Sequence, residues 1–151
     1  MNNDMVLTIE DIFALETITL CDIILRRDIK MRIFKVKNFS NWAIAEKIEN
    51  KKLTQAIQEL GQGLFDAHLG SGLYKKRIAR KGGGKRDGYR TLIAFQCDNK
   101  AIFMHGFAKN ELDNICQKEK YVLKKLAKYY LNVTEKEINK LLKAIELIEV
   151  K

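Results

Sequence analysis

Residues 74–108 read YKKRIARKGGGKRDGYRTLIAFQCDNKAIFMHGFA, and this run decides the fold. Its middle, residues 89–97 (YRTLIAFQC), is apolar with few breaks and reads as a central strand. Asp98-Asn99-Lys100 makes a tight turn into a further strand over 101–108. On the other side, a strand over 73–80 leads into the charged, glycine-rich connector 81–88. Three strands joined by short connections predict an antiparallel meander.

Outward from the meander, residues 31–36 set Ile33, Phe34 and Val36 against Arg32 and Lys35, which reads as a short strand. Asn38 or Ser40 is a candidate cap for a helix over 41–49, with Trp42, Ile44, Ala45 and Ile48 as its apolar face. A second helix is predicted over 52–60, where Leu53, Ala56, Ile57 and Leu60 recur at helical spacing and Gly61 and Gly63 end it. Residues 64–72 read as a loop, with Gly70-Ser71-Gly72 as breakers.

After the meander a helix over 118–130 is expected to pack Val122, Leu126 and Tyr129 and to expose its lysines. Thr134 to Glu137 matches a capping box. Ile138, Leu141, Leu142, Ile145 and Ile148 then stripe an amphipathic C-terminal helix within 131–151. The order βααβββα(α) predicts an α+β fold, with helices against one face of a small, antiparallel-rich sheet.

The 151 residues suit one domain with a short appendage, and the absence of proline excludes Pro-rich linkers and ligands. Cys21, Cys97 and Cys116 form no CxxC pair, which excludes a zinc ribbon or a thioredoxin-type motif; three free thiols in a reducing cytosol are expected. His68 and His105 have no carboxylates at metal-ligand spacing, so no metal is expected. His105, inside a strand, is expected to be packed and hydrogen-bonded. The most apolar N-terminal stretch, 12–25, is broken by Glu16 and Asp22 and falls short of the roughly 20 residues that span a bilayer. No membrane partner is expected, and the cytoplasm is the expected location.

Charge is concentrated. The net +9 divides into −3 over residues 1–30 and +12 over 31–151. Residues 74–90 hold eight bases against Asp87 alone. That density, interleaved with Tyr74, Ile78 and Tyr89, points to a polyanion partner. The acidic residues 1–30 are expected to be a weakly packed extension or an upstream in-frame addition.

Several chemistries are poorly supplied. The run Gly82 to Arg86 (GGGKR) is no phosphate-binding P-loop: Arg86 follows Lys85, Ala79 stands where the first glycine belongs, and a strand follows instead of a helix. HExxH and GxSxG are absent. What remains is a cationic strand surface. Alternation puts Lys75 and Arg77 on one face and Lys76 and Arg80 on the other. Arg90 opens the neighbouring strand, and Lys109 follows the last one. Such cations bind RNA phosphates, with Lys76, Arg80, Lys81, Lys85 and Arg86 as candidate contacts. They also suit metal-free RNA cleavage, in which a ribose 2′-hydroxyl attacks its own phosphate and fixed cations stabilise the phosphorane. Arginine holds phosphate oxygens bidentately; lysine serves as an electrostatic clamp or a base.

Tyr74-Lys75-Lys76-Arg77, then Gly88-Tyr89-Arg90, then Gly106-Phe107-Ala108-Lys109-Asn110-Glu111 carry a family resemblance. In that order, over about residues 31–130, the chain resembles the RelE/ParE superfamily of type II toxin–antitoxin toxins, in its RelE/HigB-like branch. The resemblance implies a RelE-like fold and a metal-independent, ribosome-dependent mRNA endonuclease that needs no cofactor and is restrained by a cognate antitoxin. Lys75, Arg77, Arg90 and Lys109 match the family's catalytic bases. The chain departs from the pattern after Lys109, where residues 112–116 lack the family's tyrosine. That departure keeps open a ParE-like gyrase inhibitor, or an RNA-binding or inactive homologue.

Overall fold

The computed structural model describes residues 31–97, 99–108 and 116–151, without the side chain of Lys85. The expectation for residues 1–30 lies outside them. Six strands form one mixed sheet: β1 (Arg32–Val36), β2 (Ala67–Gly70), β3 (Leu73–Ile78), β4 (Tyr89–Gln96), β5 (Lys100–Ala108) and β6 (Leu147–Glu149), in spatial order β2-β3-β4-β5-β1-β6. The meander β3-β4-β5 is antiparallel throughout, while β1 joins β5 in parallel.

Helices cover both faces of this sheet, not one. Helices α1 (Lys37–Ala45) and α2 (Asn50–Gly61) bury Phe39, Ala43, Leu53, Ala56, Ile57 and Leu60 against Ile78, Ile93 and Phe103. On the opposite face, α3 (Gln117–Asn132) and α4 (Glu135–Lys143) bury Ala127, Leu131 and Ile138 against Leu73, Leu92, Ala94 and Ile102. With both faces covered, Leu92, Ile93 and Ala94 are all buried in a row, which is why β4 shows no apolar–polar alternation.

Helix α3 is turned from its expected orientation. Val122, Leu126 and Tyr129 are exposed, and Leu123, Ala127 and Leu131 face the sheet. The small side chain of Ala127 lets the helix approach closely, where three larger residues would hold it off.

Two strands were not expected from the sequence. Residues 67–70 pair with β3 as a strand, and the supposed breakers are the hairpin turn, with Gly70, Ser71 and Gly72 all at positive φ. The C-terminal stripe is divided. The capping box at Thr134 opens α4 as expected, but the helix ends at Lys143 and the chain returns as β6 beside β1. The end is a Schellman motif: Ile145 N–H donates to the Leu142 carbonyl and Glu146 N–H to the Leu141 carbonyl, with Ile145 at φ 58°. Arg32 then clamps the strand. Its Nε and Nη2 bind both carboxylate oxygens of Glu149 at 3.0 and 2.9 Å, and its Nη1 binds Glu135 at 2.6 Å.

Helix α1 starts earlier than predicted, at Lys37. Among the described residues no side chain caps it; instead the Lys37 N–H donates to the Glu146 carbonyl beside β6 at 3.2 Å. Among the cysteines, Cys116 is free as expected, though exposed, whereas Cys97 is disulfide-bonded, contrary to the expectation of free thiols. No helix among the described residues is long and apolar enough to cross a membrane.

Candidate nucleic-acid interface

Register across the meander brings the predicted bases together. Arg77 stands directly opposite Arg90, and Arg90 directly opposite Phe107. Two residues away, Lys75 is opposite Leu92, and Leu92 is opposite His105. Directly paired residues share a face. These two rows therefore lie on the α3 side of the sheet, continuing the row in which Leu73 and Ala94 are paired beneath α3.

Like charges placed directly across a strand pair are destabilising, so the Arg77–Arg90 juxtaposition needs compensation. Arg77 has Asp66, just before β2, with Nε 3.2 Å from Oδ1. The contact is an ion pair without hydrogen-bond alignment, because that Nε has no hydrogen-bond partner among the described residues. Arg90 is 6% exposed, and its guanidinium donates to backbone carbonyls: Nη1 to Gly88 at 3.1 Å and Nη2 to Arg86 at 3.5 Å. Among the described residues it has no carboxylate partner. The connector carbonyls thus orient Arg90 without themselves neutralising its charge.

Glycine at 88 is required for this arrangement. A Cβ there would meet the Ile78 carbonyl oxygen at 2.1 Å, a backbone atom unable to move aside. Gly106 is required for a different reason, since its Cβ would lie 2.3 Å from the Trp42 ring. Trp42 in turn meets the Tyr89 ring edge-on at 5.3 Å. The glycines of the GYR and GFA motifs are therefore explained by close packing.

The other predicted bases part company. Lys76 points to the α2 side, is 4% exposed, and donates from Nζ to Glu59 Oε1 at 2.7 Å. That ammonium is paired inside the fold, unlike the exposed candidate contacts. Arg80 lies over the Tyr89 ring at 4.9 Å, and with Lys81 it lines a groove of about 370 Å³ beside the end of α1. The Tyr89 hydroxyl donates to Glu46 at 3.0 Å, and burial followed by that carboxylate raises the phenol's pKa. Arg86 is exposed in the single turn Lys85–Asp87. Lys109 lies outside the described residues.

His105 was expected to be packed, and it is exposed. Pairing shifts between Leu92 and Ile93, which face His105 and Phe103 respectively, so Met104 is an extra residue in β5. The sequence carries no mark of this bulge. Among the described residues, no group of three His, Cys, Asp or Glu side chains could hold a metal ion.

The α+β fold and its strand–helix–helix–meander order agree with the resemblance, while the helices on both faces go beyond it. A protein-family model described as the RelE toxin of the RelE/RelB toxin–antitoxin system matches residues 31–150, and the chain belongs to this RelE toxin family. A search of curated proteins finds no match to it.

Proposed function

We propose that the chain is the toxin of a type II toxin–antitoxin pair. It acts in the cytoplasm as a metal-independent, ribosome-dependent mRNA endonuclease. The observation that carries this reading is the row Arg77–Arg90 with Lys75 beside it: bases opposed in register at a cost in stability, with Arg90 lacking a carboxylate partner among the described residues. Phosphate is the natural counter-ion for such a site, and arginine's planar fork matches two of its oxygens.

In the reaction, the ribose 2′-hydroxyl attacks the adjacent phosphate. Arg77 and Arg90 stabilise the extra negative charge on the phosphorane, and Lys75 clamps the phosphate. Arg86 follows the RNA backbone along the connector, with Arg80 and Lys81 around its edge. A cognate antitoxin restrains the toxin between bouts of activity.

The test is inducible expression followed by mapping of mRNA 5′ ends, with purified chain and programmed ribosomes as the in vitro arm. New 5′-hydroxyl ends that persist in EDTA are expected. Intact transcripts together with a DNA-damage response would overturn the reading in favour of gyrase inhibition.

A further inference from the structure

The bulge in β5 places one more functional group on the cationic face. Phe103 packs into the α1–α2 core and Met104 into the α3–α4 core, so strict alternation would return residue 105 to the α1–α2 side. The extra residue prevents that. Gly106 faces the α1 side, where its Cβ would strike Trp42, so its neighbours His105 and Phe107 face the opposite way. Their rings lie 5.8 Å apart, and His105 is paired with Leu92, a member of the α3–α4 core. Bulges commonly re-aim a side chain beside an active site.

His105 is therefore an exposed imidazole in the same row as Lys75. It is also diagonal to Arg90, a relation that sets the two residues roughly 7–8 Å apart, with their Cβ atoms somewhat closer. That separation leaves room for a phosphodiester between the two side chains. Lysine and arginine stabilise charge but hold their protons tightly near neutral pH. Imidazole gives up and regains a proton in that range.

We propose that His105 is the general acid of the cleavage reaction, an assignment that rests on the nuclease reading above. As the 2′-oxygen forms its bond to phosphorus, the bond from phosphorus to the 5′-oxygen breaks and its electron pair stays on that oxygen. The His105 imidazolium donates its proton there. The 2′-hydroxyl proton leaves to water, and the imidazole regains a proton from water. The products are a 2′,3′-cyclic phosphate and a 5′-hydroxyl, with no net change in protons.

The experiment compares the wild-type protein with His105→Gln on two RNA substrates in the same ribosome assay. One carries the natural 5′-oxygen at the scissile phosphate. The other carries sulfur there, a leaving group that needs no proton. His105→Gln is expected to cleave the oxygen substrate about 10²-fold more slowly, to match wild type on the sulfur substrate, and to melt at an unchanged temperature. An unchanged rate on the oxygen substrate would overturn the assignment, and so would an equal loss on both substrates. A wild-type protein that cleaves neither substrate would overturn the nuclease reading itself, a result separate from any effect of His105.

Discussion

Lys75 and Lys76 are adjacent in sequence and alike in chemistry, yet they lie on opposite faces of β3. On the α2 side, Lys76 is buried and neutralised by Glu59. On the α3 side, Lys75 lies in the next row from Arg77 and Arg90, where bases meet bases. The two faces divide the labour of one basic strand. One converts positive charge into a buried anchor for α2; the other sets base against base, with only the part-exposed Arg77–Asp66 ion pair as partial compensation. The comparison teaches that charge density locates a functional strand, whereas burial against a carboxylate withdraws one of its cations.

The largest effect on this contrast comes from removing Arg90, which has no carboxylate partner among the described residues. Arg90→Ala is expected to lower RNA cleavage by about 10²–10³-fold, read by 5′-end mapping at a temperature where circular dichroism shows the variant folded. Cleavage within threefold of wild type would break the assignment of the α3 face.

A smaller effect is expected where the connector meets the strand. Gly88→Ala forces a Cβ against the Ile78 carbonyl and displaces the carbonyl that orients Arg90. Overpacking of this kind costs about 1–3 kcal/mol. Urea denaturation should show that loss, with a fall in cleavage that persists under conditions where the variant is folded.

The smallest effect lies far from the bases, where Arg32 clamps β6. Its hydrogen bonds hold the Glu149 carboxyl below the ordinary carboxylate range. A carboxyl whose folded pKa is depressed contributes its full stability above the unfolded pKa and loses it as pH falls through the folded value. Arg32→Ala should therefore cost about 1–2 kcal/mol at pH 7. The difference from wild type should shrink below about pH 4, as followed by urea melts across that range. Cleavage per folded molecule should be unchanged, which would sharpen the separation of site from scaffold.

Legibility in the sequence followed the chemistry of element ends. Three helices end in Schellman motifs. The end of α2 was readable because glycine, Gly63, occupies its left-handed position. The ends of α1 and α4 were not, because Lys47 and Ile145 occupy the equivalent positions, at φ 59° and 58°. With no glycine to stop it, the apolar stripe through Ile148 reads as unbroken helix, and β6 is hidden. Strand β2 was hidden for the converse reason: the glycines that shape its hairpin read as loop.

Of the candidate site, alternation correctly put Lys75 and Arg77 on one face, and the motif order put Arg90 beside them. Sequence could not show that Lys76 meets Glu59, because that contact joins residues 17 positions apart. Nor could it show the turn of His105, because a bulge has no signature in FMHGF.

The most direct measurement of the central claim sets Lys75→Met beside Lys76→Met, each assayed for thermal stability and for mRNA cleavage by the folded protein. Lys75→Met should melt within about 1 kcal/mol of wild type and lose at least tenfold in cleavage. Lys76→Met should lose about 3 kcal/mol of stability, because it takes the buried cation from Glu59. Below its melting temperature it should still cleave at the wild-type rate. The reverse pattern, a stable but inactive Lys76→Met beside a fully active Lys75→Met, would contradict the account.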